Sequence, residues 1–249
     1  MTSPRELWDS AVPDYLNVDD SETLDLIFPA FTRAMGDLAG KVVLDYGCGD
    51  GTYTRMLAGM GAHQVIGADM SHNMIAAARA SDPESRVQYY EVPDNRLTPL
   101  SDRSVDIVTA NMVFMMSPSK SDMAQSFAEI HRVLQPGGLF IYCITHPSFI
   151  DKEAHDCRRE FGSEGFQYLK EGYRYRFILK GRKGEYIDGG FYDYHYTLTT
   201  YLQTTIDAGF TLRSFDEMRY PDEIVKKYAI PDEFLRYPQA ITMVWRKED

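Results

Sequence analysis

Short apolar, β-branched runs alternate with stretches in which apolar residues recur every three or four positions, and this rhythm governs the middle of the chain. "KVVLDY", "HQVIGADM", "RVQYYEV", "SVDIVTANMVF" and "LFIYCITH" read as buried strands. "TYTRMLAGMGA" and "HNMIAAARA" read as helices, the second capped by Ser71. A further helix opens at a capping-box-like Ser119 and Asp122, and its apolar face is Met123, Phe127, Ile130 and Leu134. "QPGG" reads as a turn before the fifth strand. Ahead of this block, residues 1–40 read as polar helix with apolar Leu24, Ile27, Phe28 and Phe31, ended by "LAGK". After it, "TLTTYLQTTIDAG" reads as a helix, and "FTLRSFDEM" and "QAITMVWRK" as strands.

Strands alternating with helices imply a doubly wound, mostly parallel α/β sheet whose connections are long enough for right-handed crossovers. Residues 148–193 break the rhythm: they are charged and aromatic, and "YRYRFILKGRKGEYIDGGFYDYHY" predicts a hairpin turning at Gly181 to Gly184. The expected organisation is one domain over 1–249. Residues 1–40 form a helical lid, 41–147 the core, 148–195 an inserted aromatic-rich cap, and 196–249 the edge of the sheet.

Composition narrows the function. The chain has 249 residues, 44% of them hydrophobic, enough for a substantial core. No run reaches the ~18 apolar residues of a membrane helix, so no membrane partner is expected. A net charge of -11 with no basic tract argues against nucleic acid. Cys48, Cys143 and Cys157 have neither metal-type nor disulfide-type spacing, so no metal is expected. With no basic-then-apolar leader at the N-terminus, this points to the cytoplasm.

The candidate chemistry lies in "VLDYGCGDGTYT". A phosphate loop needs a lysine after its glycines, and none is there. A dinucleotide turn reads G-x-G-x-x-G, whereas Gly47, Gly49 and Gly51 alternate strictly. Asp45 just before them would repel a pyrophosphate and attract an ammonium, by about 1 to 4 kcal/mol at ~4 Å. Asp69, at the end of the second strand, can accept hydrogen bonds from both hydroxyls of a ribose. Asp94 and Asn95 lie where an adenine amino group is read. A ribose with a cationic amino-acid tail describes S-adenosylmethionine.

On these residues the chain resembles the class I S-adenosylmethionine-dependent methyltransferases, of the small-molecule type. "VLDYGCGDG" is similar to that family's first motif and "VIGADMS" to its ribose-binding strand. "VPDNRLTPLSDRSVDIV" is similar to its third-strand loop and fourth strand, and "VLQPGG" to the turn before its fifth. "YHYTLTTYLQTTIDAGFTL" is similar to its sixth-strand region. Gln135 stands where a lysine is common, and "VPDN" where Gly-Asp-Ala is common. The resemblance implies a seven-stranded Rossmann-like sheet, S-adenosylmethionine as cofactor and a small-molecule acceptor. It implies cofactor contacts at Asp45, Gly47, Gly49, Gly51, Asp69, Met70, Asp94, Asn95 and Asn111, with Tyr15 closing from the lid. His146, after the fifth strand, and His195, at a position where the subgroup commonly has histidine, are candidate bases. Tyr196 belongs to an aromatic group able to face a sulfonium. Two other readings remain open at this level: attack on the cofactor's aminocarboxypropyl chain, releasing methylthioadenosine, and a cofactor sensor without turnover.

Overall fold

The structure, a computed structural model, describes residues 3–152 and 154–248. In chain order its elements are α1 (Pro4–Tyr15), α2 (Ser21–Met35), β1 (Val42–Tyr46), α3 (Thr52–Ala58), β2 (Gln64–Asp69), α4 (His72–Ala80), β3 (Gln88–Glu91) and β4 (Val105–Asn111). There follow α5 (Lys120–Val133), β5 (Leu134–Thr145), β6 (Cys157–Glu160), β7 (Arg174–Lys180), β8 (Tyr186–Ile187) and β9 (Tyr192–Tyr194). Last come α6 (Leu198–Asp207), β10 (Phe210–Glu217), α7 (Asp222–Tyr228) and β11 (Ala240–Lys247).

Seven strands form one sheet in the order β10-β11-β5-β4-β1-β2-β3. β1 through β5 pair in parallel, while β11 runs antiparallel to both β5 and β10. This is the doubly wound, mostly parallel sheet that the pattern predicts. The strand order reverses beside β1, whose neighbours are β2 and β4, and in open α/β sheets ligands bind outside the carboxyl ends at such a point.

Burial follows from strands covered on both faces. Val43, Leu44, Val108, Phe140, Ile141 and Trp245 are each 0% exposed. One face packs on α5 and α6 through an aromatic cluster. Phe127 there lies 4.7 Å from Phe114 edge-on, 5.5 Å from Phe140 and 5.7 Å from Tyr142. The other face packs on α2 and α3 through Ile27, Phe31, Tyr53 and Leu57.

"QPGG" differs from its expected form. It lies inside β5 as an irregularity: Val105 pairs Leu134, but the next pairing is Ile107 with Leu139. Gly137 at φ 77° allows the extra backbone, and a Cβ on Gly138 would sit 2.8 Å from the Gln135 carbonyl. The apolar pattern announced no element between the last two strands, yet α7 forms there, with acids in its first turn and lysines in its last.

The insertion is a small four-stranded sheet, β6-β7-β8 with β9 also on β7. The predicted hairpin is present, Leu179 pairing Ile187 and Lys180 pairing Tyr186. Helix α1 joins this sheet to the core. Trp8 stacks on Phe191 at 5.7 Å, and Asp9 accepts hydrogen bonds from Ser71 Oγ at 2.7 Å and the Asn73 N–H at 3.2 Å. From α2, Glu22 pairs with His155 at 2.7 Å and Thr23 donates to Asp156 at 2.7 Å.

Phe127→Ala removes a fully buried ring from the aromatic cluster on the α5 side. We expect urea unfolding to show a loss of about 3–5 kcal/mol with an unchanged denaturant slope. A loss below about 1 kcal/mol would mean that this face repacks freely.

Candidate active site

A cavity of about 740 Å³ opens at the carboxyl ends of the parallel strands. That lies within the roughly 300–1,000 Å³ of ligand pockets. The core wall is the glycine turn and the ends of β2, β3 and β4. The opposite wall is α1, α2 and the inserted sheet.

The turn takes its shape from backbone hydrogen bonds and positive φ. Gly47 and Cys48 both donate to the Ala68 carbonyl, at 2.7 and 3.0 Å. Gly47 stands at φ 73°, and a Cβ there would lie 2.5 Å from a Val113 methyl. Gly49 (φ 53°) donates its N–H to Asp69 Oδ2 at 2.9 Å. The Ser71 N–H donates to Asp69 Oδ1 at 2.8 Å. A carboxylate has about four lone-pair positions. Asp69, which lines the cavity, therefore keeps acceptor capacity toward it. Burial raises its pKa, while hydrogen bonds from Ser71 and Gly49 pull it back.

Gly47, Gly49, Asp69, Met70, Asp94, Asn95, Asn111 and Tyr15 all line this one cavity. Asn111 Oδ1 has no partner among the described residues, so the end of β4 presents an unsatisfied acceptor. Asn95 and Met112 hold left-handed backbone at φ 58° and 55°, a conformation that asparagine tolerates and methionine seldom adopts. The Tyr15 hydroxyl is pushed far above its ordinary range by burial and by the nearby Asp20, Asp50 and Asp69, so it remains a proton donor.

Other expected residues stand elsewhere. Gly51 is the left-handed cap of α3, where a Cβ would meet the Tyr89 hydroxyl at 2.5 Å. Asp45 is 2% exposed and lies behind the turn, accepting from Thr54 Oγ1 at 2.6 Å and Thr109 Oγ1 at 3.4 Å. Burial lifts its pKa to about 7 against the hydrogen bonds from Thr54 and Thr109. The three expected catalytic residues, His146, His195 and Tyr196, do not line this cavity. His146 Nε2 donates to Glu217 at 2.9 Å while Nδ1 accepts from the Ser148 N–H at 3.2 Å. His195 Nε2 donates to the Tyr168 carbonyl at 2.7 Å, and burial lowers its pKa. Tyr196 donates to the Ser117 carbonyl at 2.9 Å. Both histidines are polar groups at buried strand ends; the Glu217 carboxylate and the Ser148 N–H engage His146, and the Tyr168 carbonyl engages His195.

The sequence reading passed over three charged residues of the inserted sheet that line the cavity: Asp156, Arg159 and Asp193. Asp193 is 4% exposed, and burial raises its pKa to about 7 against the pull of Arg159 and the Tyr175 hydroxyl. The signal was in "FYDYH": Phe191, Asp193 and His195 share the buried register of an alternating strand, where an acid is out of place without a role. Cys48, by contrast, is a buried filler whose thiol burial pushes well above its ordinary pKa.

Residues 44–142 match the family described as "Methyltransferase domain". The N-demethylindolmycin N-methyltransferase of Streptomyces griseus is 29% identical over 168 residues, covering 68% of this chain and 68% of that protein. The demethylmenaquinone methyltransferase of Lactococcus lactis is 33% identical over 162 residues, covering 61% of this chain and 63% of that one. A solved S-adenosylmethionine-dependent methyltransferase from Mesorhizobium loti superposes with a TM-score of 0.67 at 26% identity, covering 88% of this chain and 96% of the other. Residues 44–142 thus carry a domain of that methyltransferase family, and the chain as a whole is similar to S-adenosylmethionine-dependent methyltransferases. It is an enzyme, and S-adenosylmethionine is its cofactor.

Asp45 generates a pH prediction. Its pKa in the folded protein, about 7, exceeds the 3.8 of an ordinary aspartate, so between these values the folded state holds more protons than the unfolded. Stability from this group is present below pH ~4 and is lost as pH rises toward 7. Without cofactor, the wild type should lose on the order of 2 kcal/mol more than Asp45→Asn between pH 5 and 7. Urea melts at both pH values test this, and parallel profiles would show that Asp45 is charged when folded.

Proposed function

We propose that the enzyme methylates a small-molecule acceptor enclosed between the glycine turn and the inserted sheet. The observation that carries this reading is one cavity of about 740 Å³ whose walls combine Gly47, Gly49 and Asp69 with Trp8, Phe177 and Arg159. The names of two relatives support it: one is an N-demethylindolmycin N-methyltransferase and the other a demethylmenaquinone methyltransferase.

The residues fit the cofactor. Asp69 is held by two backbone N–H groups with acceptor capacity left for a ribose diol, and Met70 lies beside it for the adenine face. Asp94, Asn95, Asn111 and Tyr15 line the same cavity; in this reading the first two would meet the adenine edge and the last two the methionine end. When bound, the cofactor supplies an electrophilic methyl group on a sulfonium. The protein's part is then to align the acceptor and exclude water. Residues 1–40 and 148–195 act in this reading as a lid and a cap. Their apolar contacts, Trp8 with Phe191 and Tyr15 at 5.7 and 5.5 Å, close the cavity on the side away from the sheet. None of the family resemblances favours the aminocarboxypropyl reading over methyl transfer.

Asp69→Ala should weaken cofactor binding about 10- to 100-fold, the effect of losing a charged hydrogen-bond acceptor. Gly47→Val should weaken it at least as much, because its Cβ position is already filled by Val113. Calorimetric titration with S-adenosylmethionine measures both, and wild-type affinity in both variants would remove the glycine turn and Asp69 from the cofactor site.

The reaction is tested by its product. Incubation with S-adenosylmethionine alone should leave the cofactor intact, and S-adenosylhomocysteine should form only when an acceptor is added. Methylthioadenosine released without acceptor would refute methyl transfer.

A further inference from the structure

The inserted sheet places opposite charges on one face. Arg159 of β6 pairs with Phe177 of β7, and Asp193 of β9 pairs with Tyr175 of β7. Tyr175 and Phe177 are two residues apart, so they project from the same face of β7. Their cross-strand partners project there too, which puts Arg159 and Asp193 on the two strands that flank β7. Two strand spacings separate them, roughly 10 Å between backbones. Arg159, Phe177 and Asp193 all line the cavity.

Neither charge is satisfied by its neighbours. Asp193 Oδ2 accepts from the Tyr175 hydroxyl at 3.2 Å, but Oδ1 has no partner among the described residues. Arg159 donates one long hydrogen bond, 3.5 Å to the Lys152 carbonyl. The fields of Asp156 and Asp193 favour its charge, although burial opposes it. The groups acting on Asp193 are Arg159 and Tyr175, with Cys157 and Tyr201 also close enough to be coupled to it. An unpaired buried charge is expensive, and two of opposite sign beside a cavity call for a ligand that carries both complements.

We propose that this face is the acceptor subsite and that it takes an amino-carboxylate, with the carboxylate on Arg159 and the amine at Asp193. This rests on the methyltransferase reading above. The apolar ring of Phe177 between them provides the floor. An ammonium arriving at Asp193 loses a proton to the carboxylate: the N–H bond breaks, its electron pair stays on nitrogen, and an O–H bond forms on Oδ1. The freed nitrogen pair then forms the bond to the methyl carbon, while sulfur keeps the pair of the S–C bond and becomes neutral. Asp193 is thus both anchor and proton acceptor, in place of either histidine.

The test is calorimetry on the full chain saturated with S-adenosylhomocysteine, titrated with phenylalanine, phenethylamine and 3-phenylpropionate. Phenylalanine should bind at least about tenfold tighter than either single-charge analogue. Asp193→Asn should erase its advantage over 3-phenylpropionate, and Arg159→Gln its advantage over phenethylamine. Both variants should hold S-adenosylhomocysteine within about twofold of wild type. The proposal is overturned if wild-type protein shows no preference for phenylalanine, including no binding of any of the three. It is also overturned if Arg159→Gln weakens S-adenosylhomocysteine binding tenfold, which would assign Arg159 to the cofactor's carboxylate. The wild-type comparison needs no variant, so misfolding cannot mask it. Failure of the methyltransferase reading is distinct and is read from the products: methylthioadenosine would form from S-adenosylmethionine without acceptor, whatever the three analogues do.

Discussion

A carboxylate that leaves bulk water must find donors, and Asp69 finds them in two pieces of backbone. The N–H of Gly49 locks the glycine turn to the end of β2, and the N–H of Ser71 locks the start of α4 to the same oxygen pair. The Ser71 hydroxyl then donates to Asp9 while accepting from Met74 N–H, which ties in α1. Asp69 thus fixes the turn and positions Ser71, whose side chain caps α4 and anchors the N-terminal helix. Its remaining lone pairs still face the cavity. The site is built outward from this acid.

Asp69 is one of a set. Burial raises the pKa of Asp20, Asp45, Asp69 and Asp193, and of these only Asp45 stands behind the cavity wall. A cavity with raised carboxylates is stabilised by bound positive charge, which both a sulfonium cofactor and an ammonium would bring. Burial therefore makes the charged forms costly in the empty cavity, and a cationic occupant offsets that cost, which couples binding to pH.

The inserted sheet does different work from the core. Its apolar cluster of Ala154, Cys157, Phe177, Phe191, Leu179 and Ile187 is completed by α1 through Ala11, Trp8 and Tyr15. Polar ties supplement that small core. Glu171 accepts from Thr197 and Thr200 and pairs with Lys120, and these bonds overcome burial to hold its pKa at about 2. The loop before β7 is thereby pinned to the start of α6 and α5. These attachments, with those of Glu22 to His155 and Thr23 to Asp156 from α2, hold the inserted sheet against the core.

The core was legible in the sequence because its determinants are local. Alternating apolar runs and helix caps set β1 to β5 and the helices between them. Glycines with positive φ and a strand-end acid are needed wherever such a turn approaches a ligand closely, so Gly47, Gly49 and Asp69 could be picked out by type and spacing. Three things were decided only by tertiary structure. His146, His195 and Tyr196 stand at positions that suited a base, but which way a strand end turns depends on what packs against it: His146 bonds to Glu217 of β10 and the Ser148 N–H, and His195 and Tyr196 bond to loop carbonyls. Asp45 directly precedes the turn, yet strand alternation points it toward Thr54 and Thr109 behind the turn. Arg159 and Asp193, 34 positions apart in the chain, share one face because β6 and β9 both pair with β7. Local pattern fixes which residues can form a strand; only pairing across the sheet decides which charges meet.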